Sequence, residues 1–236
     1  MSTHPARRRQ LRTWSPAEQQ EHLQAVATGS EHGSVTGPEL LDLASNDYLS
    51  LCRHPFVIAA AESQLRSSGV GAGGSRLVSG SRPVHGQLES ELACWLGRER
   101  VLLFPSGFQA NLAAVSALAN RHTTVVADRL IHHSLLVGVQ ASGARLRRFA
   151  HNDLESLERL LLRSRSDRPQ APLLVISESL FSMEGTSPPV HDLAAICERH
   201  GARLLLDEAH ALGVLGNGGR GLGFVEERVT LLSGTF

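Results

Sequence analysis

The feature that most constrains the fold is the regular alternation of short apolar runs and helix-length segments that begins at Val101. Strands separated by helices are typical of βαβ units, and such units build a mostly parallel sheet with helices on its faces. The pattern therefore predicts an α/β fold. The predicted strands are Val101–Phe104, Thr123–Ala127, Arg145–Phe149, Pro172–Ser177, Arg203–Asp207 and Val229–Leu232, and the predicted helices between them are Phe108–Ala119, Ser134–Ala141, Asp153–Ser164 and Val190–His200.

The first residues of the chain are predicted to be an appendage to one large domain. We expect residues 1–42 to form an N-terminal arm and a helix, and residues 43–236 to form the large domain. Ser15 and Glu18 have the spacing of a capping box, and Pro16 suits the first helical position, so a helix through about Ala27 is predicted. A short strand over Leu40–Ala44 and helices over His54–Ser68 and Val84–Leu96 are predicted next.

Charge and cysteine usage exclude several classes of protein. The net charge is zero at pH 7, which gives no basic surface for nucleic acid. The three cysteines are Cys52, Cys94 and Cys197, and their wide spacing is unlike a disulfide framework or a zinc site. Because free cysteines persist in reducing compartments, the sequence predicts a cytoplasmic protein that binds no metal. No apolar run approaches the ~20 residues that a membrane helix needs.

The stretch Ala202–Gly216 (ARLLLDEAHALGVLG) predicts the centre of a site. Ligands of open α/β sheets bind beyond the carboxyl ends of the strands, where Asp207 lies. A buried carboxylate is costly unless a cation or hydrogen-bond donors meet it. The letters DEAH are also typical of a helicase-type ATPase, but that activity needs a phosphate-binding loop with a lysine. All 23 basic residues are arginines, so detectable ATP turnover would be needed to support that alternative.

Three further stretches place polar groups after strands or at helix starts. In VLLFPSGFQAN, Ser106 and Gly107 precede a helix whose free N–H groups could bind an anion, or Ser106 could simply cap that helix. In DRLIHHS, His132 could stack on a flat ligand. In ESLFSMEG, Ser182 offers a hydroxyl, although a serine and a glycine there could also just form a turn. Together with Asp207 they suit a phosphorylated, flat, cationic ligand, and pyridoxal 5'-phosphate has these features. A carboxylate beside its pyridine nitrogen keeps the ring protonated, which makes it an electron sink.

From about Leu43 to Phe236 the chain resembles the α-oxoamine synthases, a group within the fold-type I pyridoxal-phosphate enzymes. Within the group, the stretch RRFAHND most resembles the member that serves biotin biosynthesis. The other members, 2-amino-3-ketobutyrate CoA ligase, 5-aminolevulinate synthase and serine palmitoyltransferase, stay open as alternatives. The matching stretches are SNDYLSL, GAGGSRLVSGSRPVHGQLESELACWL, FPSGFQAN, ADRLIHHSLL, RRFAHND, FSMEGTSPPVHDL, LLLDEAHALGVLGNGGRG and LSGTF.

The resemblance implies a role for individual residues. His132 would stack over the pyridine ring, and Asp207 would pair with the pyridinium nitrogen. Ser182 and His210 would lie at the phenolic oxygen of the ring. His132, Asp207 and His210 are the implied catalytic residues, and His132 would also meet the substrate. The implied phosphate contacts are Ser106, Gly107, Phe108 and Thr235, and Asn46 is the implied substrate contact.

The resemblance also implies a reaction and a missing residue. The expected reaction is the decarboxylative condensation of L-alanine with pimeloyl-CoA or a pimeloyl carrier protein, carried out by a homodimer. In the family, the lysine that binds the cofactor follows the threonine at Thr235 by three residues, so it would fall just beyond Phe236. We therefore expect a chain that is truncated before its catalytic lysine and its small C-terminal domain. Such a chain would be inactive alone, and a non-catalytic truncated product is the remaining alternative.

Overall fold

The computed structural model describes residues 12–17, 22–25 and 38–236. The chain divides into two compact units, Met1–Gly71 and Ala72–Phe236. The second unit contains a five-stranded parallel sheet with the order β5-β4-β6-β7-β8, which confirms the predicted α/β class. Its strands are β4 (Thr124–Asp128), β5 (Arg145–Phe149), β6 (Leu173–Glu178), β7 (Ala202–Asp207) and β8 (Leu231–Ser233).

The described residues of the second unit include five α-helices. Helices pack on both faces of the sheet because its central strands are apolar on both faces. Along β7, Leu204 and Leu206 belong to one buried cluster with α5 and α6, whereas Leu205 belongs to a second cluster with α3 and α4. Successive side chains of a strand point to opposite faces, so three consecutive leucines fill both layers. The helices are α2 (Pro83–Leu96), α3 (Gly107–Leu118), α4 (His133–Ser142), α5 (Leu154–Asp167) and α6 (Val190–Arg199).

The predicted strand Val101–Phe104 is wrong. The segment belongs to no strand, and Leu102 is 72% exposed. The N–H group of Leu103 donates to Oε1 of Glu89 on α2, at 2.8 Å, instead of to a neighbouring strand. An aliphatic run favours extended backbone, but strand formation also needs a partner with free backbone groups.

The first unit contains strands where a helix was predicted. β1 (Trp14–Pro16) and β2 (His22–Ala25) pair antiparallel, and β2 also pairs with β3 (Leu40–Leu41). The helix prediction from Ser15 to Ala27 is therefore wrong for its described part, while Glu18 and Ala27 lie outside the described residues. The fixed φ of Pro16 suits either a helix start or a strand end, so the capping-box spacing could not decide between them.

The helix predicted near the end of the first unit is confirmed as α1 (Pro55–Ser68). Among the described residues of the whole chain, no helix combines the length and the apolar character that a membrane span requires.

Candidate active site

Four neighbouring strands of the parallel sheet end in polar residues at the same edge. β4 ends in Asp128, β6 in Glu178, β7 in Asp207 and β8 in Ser233. Glu178 is the register partner of Asp207, and Asp207 is the register partner of Ser233. Residues in register on parallel strands point to the same face, so the carboxyl groups of Glu178 and Asp207 are side by side. This edge is where open α/β sheets bind their ligands.

Asp207 is buried and held in a fixed orientation. Asp207 as a whole residue is only 4% exposed. Oδ2 accepts a hydrogen bond from Nδ2 of Asn111 at 2.7 Å, and Oδ1 accepts one from the N–H group of Ala209 at 2.9 Å. A carboxylate offers about four acceptor positions, so these two donors leave acceptor capacity for a ligand.

His132 is connected to Asp207 through two buried side chains. Its Nδ1 lies 2.6 Å from Oγ of Ser134, and the same Oγ accepts from Nδ2 of Asn111 at 3.0 Å. The N–H group of His132 donates to Oε1 of Glu178 at 2.5 Å, while the residue as a whole is exposed. The structure therefore brings two of the predicted site residues, His132 and Asp207, into one hydrogen-bond network with an accessible imidazole.

Three members of this network were not singled out from the sequence. Asn111, Ser134 and Glu178 each lie inside a stretch that was recognised as a candidate, but none received a role. Burial, followed by the neighbouring charge of Asp207, raises the pKa of Glu178 to about 8. Glu178 is therefore mostly protonated at neutral pH, which avoids two adjacent buried negative charges on Glu178 and Asp207. Its position at the end of β6 was the available signal, since Asp207 has the same position on β7.

Glu208 follows Asp207 in sequence but is enclosed by its own chain. Oε2 accepts from Oγ of Ser179 at 2.6 Å and from the N–H group of Leu222 at 3.1 Å, and Oε1 accepts from the N–H group of Gly223 at 2.5 Å. The residue is 0% exposed, and burial raises its pKa despite these hydrogen bonds. Glu208 therefore holds the loop at Gly221–Gly223 against the sheet.

The start of α3 lies against the end of the chain. Oγ of Ser106 accepts from the N–H group of Gln109 at 3.2 Å, so Ser106 caps the helix. A Cβ at Gly107 would lie 2.4 Å from Cγ2 of Thr235, and the hydroxyl of Thr235 donates to the carbonyl of Ala209 at 3.4 Å. Two predicted phosphate contacts, Gly107 and Thr235, are thus neighbours beside a helix start whose first N–H groups have no partner within the helix.

Four other predicted site residues are not joined to this network by the contacts described above. Phe108 is 43% exposed at the start of α3, Ser182 is exposed in the turn after β6, and His210 is partly buried in the turn after β7. Asn46 lies in the first unit, where its Oδ1 accepts from the hydroxyl of Tyr48 at 3.4 Å. Their roles in cofactor or substrate binding stay predictions.

The stretch RRFAHND contributes to a separate network that holds two loops together. The buried carboxylate of Asp128 accepts from the N–H group of Asn152 at 2.8 Å and lies 3.0 Å from Nδ1 of His151. Nε2 of His151 lies 2.7 Å from Oγ1 of Thr186. The ring of His151 also meets that of Phe181 edge to face. This second network connects the ends of β4 and β5 to the turn after β6, which is a structural role.

The arrangement at the sheet edge can hold a ligand with three properties. Asp207 can accept a hydrogen bond from a cationic N–H group, the imidazole of His132 can cover a flat ring, and the α3 start with Thr235 can contact an anion. Within the part of the chain that the structure describes, no three His, Cys, Asp or Glu side chains are grouped so that they could hold a metal ion.

The aminotransferase class I and II family model matches residues 38–236. The 8-amino-7-oxononanoate synthase of Anaeromyxobacter sp. is 46% identical over 204 residues, which cover 85% of this chain and 50% of that protein. The enzyme of the same name from Chromohalobacter salexigens is 48% identical over 198 residues, with coverage of 83% and 50%. The chain thus spans about half the length of these curated relatives.

Solved structures agree with these sequence matches. Serine palmitoyltransferase from Sphingomonas wittichii matches with a TM-score of 0.86 and 31% identity, over 95% of this chain and 54% of that one. The 8-amino-7-oxononanoate synthase from Francisella tularensis has a TM-score of 0.63 and 31% identity, over 76% and 48%. These matches confirm the resemblance to the α-oxoamine synthases. Since the family match covers most of its length, the chain belongs to the aminotransferase class I and II family.

Proposed function

We propose that this chain supplies the cofactor-binding part of an 8-amino-7-oxononanoate synthase of biotin biosynthesis. The proposed reaction is the condensation of L-alanine with pimeloyl-CoA or a pimeloyl carrier protein, with loss of CO₂. The observation that carries the proposal is the buried Asp207 at the sheet edge, oriented by Asn111 and Ala209 and connected to His132. The relatives of that name, at 45% to 48% identity, support the choice of reaction.

The residues at the sheet edge fit pyridoxal 5'-phosphate. Asp207 would accept the pyridinium N–H, and His132 would stack over the ring. Ser182 and His210 would lie at the phenolic oxygen. A Cβ at position 107 would lie 2.4 Å from Cγ2 of Thr235, so glycine lets Thr235 approach the start of α3, whose first N–H groups would bind the phosphate. Ser106, Gly107, Phe108 and Thr235 are the proposed phosphate contacts. When bound, the cofactor supplies an electron sink for a substrate carbanion.

The chain's own residues prepare this site in three ways. Asp207 would hold the proton on the ring nitrogen, because an ionised carboxylate beside a cationic N–H stabilises its charged form. The protonated Glu178 beside it adds no competing negative charge. The imidazole of His132 would shield one face of the ring from water, and Asn46 is the proposed contact to the substrate. The sequence contains no lysine, so the covalent anchor of the cofactor is not among these 236 residues.

Serine palmitoyltransferase is the second candidate function because its structure matches nearly the whole chain with a TM-score of 0.86. Its identity of 31% is lower than the 46% of the first synthase relative, which places the biotin reaction first. We further propose that the protein is cytoplasmic, since its three cysteines are free, and that it forms a homodimer, as the resemblance to the α-oxoamine synthases implies.

Titration with pyridoxal phosphate tests the proposed cofactor site. We expect a saturable absorbance change on adding the cofactor to the 236-residue chain, and no covalent side-chain label after borohydride reduction. Thr235→Val should weaken the binding of pyridoxal phosphate about fivefold, the loss of about one hydrogen bond, while the binding of pyridoxal without phosphate stays unchanged. Ser116→Ala, on the exposed side of α3, is the matched control. A covalent label on an internal residue, or equal losses for both ligands, would contradict the proposed site.

Substrate choice is tested in a chain extended in its reading frame to the length of its relatives. The extended enzyme should release CO₂ from L-alanine with pimeloyl-CoA and should be inactive with L-serine and palmitoyl-CoA. The reverse preference would establish the second candidate. The 236-residue chain alone should show no turnover, because it has no lysine, and turnover by this form would refute the requirement for that residue.

A further inference from the structure

Asn111 and Ser134 form a continuous connection between the two best-placed residues of the site. Nδ2 of Asn111 donates to Oδ2 of Asp207 at 2.7 Å and to Oγ of Ser134 at 3.0 Å. Oγ of Ser134 is in turn 2.6 Å from Nδ1 of His132. Asn111 is 4% exposed and Ser134 is 0% exposed, so water does not compete for these hydrogen bonds.

The chemistry of the groups determines the direction of each hydrogen bond. The orientation of the Asn111 amide is set by Asp207, since a flipped amide would place oxygen against carboxylate oxygen. Both hydrogens of Nδ2 are then donated, and Oδ1 of Asn111 is left buried without a partner among the described residues. The hydroxyl oxygen of Ser134 accepts from Asn111, which leaves its own hydrogen for Nδ1 of His132. The N–H group of Ser134 points to the same Nδ1 at 3.3 Å.

We propose that Asn111 and Ser134 are positioning residues that fix neutral His132 in the tautomer with its proton on Nε2. Two donors converge on Nδ1, so this nitrogen presents its lone pair to the protein. Nε2 then carries the N–H group. The same amide that fixes Asp207 therefore also fixes the imidazole, and one buried side chain sets both groups.

The tautomer determines which groups of a substrate His132 can bind, a consequence that rests on the proposed function. An imidazole with hydrogen on Nε2 donates to a carbonyl or carboxylate oxygen and cannot accept from an ammonium group at that atom. His132 would thus bind the carboxylate of an amino acid or the carbonyl oxygen of a thioester, and not an ammonium group. A histidine in the other tautomer, with its proton on Nδ1, would present an acceptor at Nε2 and could meet an ammonium group there.

Nitrogen-15 NMR of histidine-labelled protein tests the tautomer directly, without cofactor. Spectra are recorded at about pH 8, where an ordinary histidine is neutral, and the His132 signals are assigned by their loss in His132→Gln. We expect about a tenfold excess of the Nε2–H form in the unaltered 236-residue chain, the ratio that one net hydrogen bond supports. Ser134→Ala and Asn111→Leu should each reduce that excess severalfold. Ser116→Ala, on the same helix as Asn111, should leave it unchanged.

Each outcome bears on the proposal separately from the proposed function. A predominant Nδ1–H form in the unaltered chain would overturn it, and this result does not depend on any variant folding. An excess that persists in both Ser134→Ala and Asn111→Leu, with unchanged circular dichroism, would also overturn it. If the tautomer is as expected but pyridoxal phosphate does not bind, the proposed function fails while the assignment of the two positioning residues stands.

Discussion

Asp207 is the last residue of β7 and Glu208 is the residue after it, yet the surroundings of these two carboxylates differ completely. Glu208 is closed off by its own chain, with three donors from Ser179, Leu222 and Gly223. Asp207 receives two donors, one to each oxygen, from Asn111 and Ala209. Glu208 lies just beyond β7, where the loop at Gly221–Gly223 encloses its carboxylate, whereas the carboxylate of Asp207 faces the ligand edge of the sheet.

The difference separates a structural carboxylate from a binding one. A buried carboxylate that is surrounded by backbone donors of its own chain is explained by folding alone. A buried carboxylate that is oriented by two donors and retains acceptor positions at the ligand-binding edge of the sheet is suited to a further partner. Of the two carboxylates, only Asp207 is placed to bind a further partner. We therefore expect the stability of the fold to depend on Glu208 and ligand affinity to depend on Asp207.

The largest effect is expected from Glu208→Ala. This change leaves the hydroxyl of Ser179 and the N–H groups of Leu222 and Gly223 buried without their acceptor. The free energy of unfolding should fall by about 3–5 kcal/mol, measured by urea denaturation at pH 7. Glu155→Ala, whose side chain is 90% exposed on α5, is the control and should change it by less than about 0.5 kcal/mol. Equal small effects from both substitutions would remove the structural role assigned to Glu208.

Gly221→Ala tests the contact between Glu208 and the loop at Gly221–Gly223 by changing the loop instead of the carboxylate. Gly221 has a φ of +85°, and a Cβ there would lie 2.6 Å from Oε2 of Glu208. We expect a loss of about 2–3 kcal/mol in the free energy of unfolding, from backbone strain and displacement of Glu208.

Gly185→Ala is the matched control, because Gly185 also has a positive φ, +63°, but a Cβ there would meet no atom within 4 Å. It should cost about 1 kcal/mol, the strain alone. If both alanine variants lose the same stability, the contact with Glu208 contributes nothing.

The sequence predicted the sheet better than it predicted the contacts within the site. Buried strands such as β6 and β7 could be recognised because their apolar runs end abruptly in carboxylates. The segment Val101–Phe104 could not be excluded as a strand from the sequence, because the tertiary structure decides whether a neighbouring strand is available for pairing. Likewise, FPSGFQAN marked a helix start, but the contact of Asn111 with Asp207 joins residues that are far apart in sequence.

Glu178→Gln should change how stability depends on pH. The pKa of Glu178 in the folded chain, about 8, lies above the ordinary value of 4.5, so the folded chain binds the proton more tightly. Its contribution is fully present below about pH 4.5 and is lost as the pH rises through about 8. The free energy of unfolding of the unaltered chain should therefore fall by about 2 kcal/mol more than that of Glu178→Gln between pH 6 and 8.

Urea denaturation at several pH values measures this difference. Glu155→Gln, whose side chain is 90% exposed on α5, is the control and should keep the slope of the unaltered chain. Parallel curves for the unaltered chain and Glu178→Gln would mean that Glu178 is ionised at neutral pH, and that Asp207 therefore has a negatively charged neighbour.

The most direct test of the account compares two ligands in Asp207→Asn. One ligand is pyridoxal phosphate, and the other is its analogue in which a C–H group replaces the ring nitrogen. The unaltered chain should bind pyridoxal phosphate at least about tenfold more tightly than the analogue, since a charge-assisted hydrogen bond contributes about 1.5–3 kcal/mol. Asp207→Asn should abolish this preference and leave affinity for the analogue unchanged. If Asp207→Asn weakens both ligands equally, Asp207 does not meet the ring nitrogen, and the distinction between Asp207 and Glu208 is wrong.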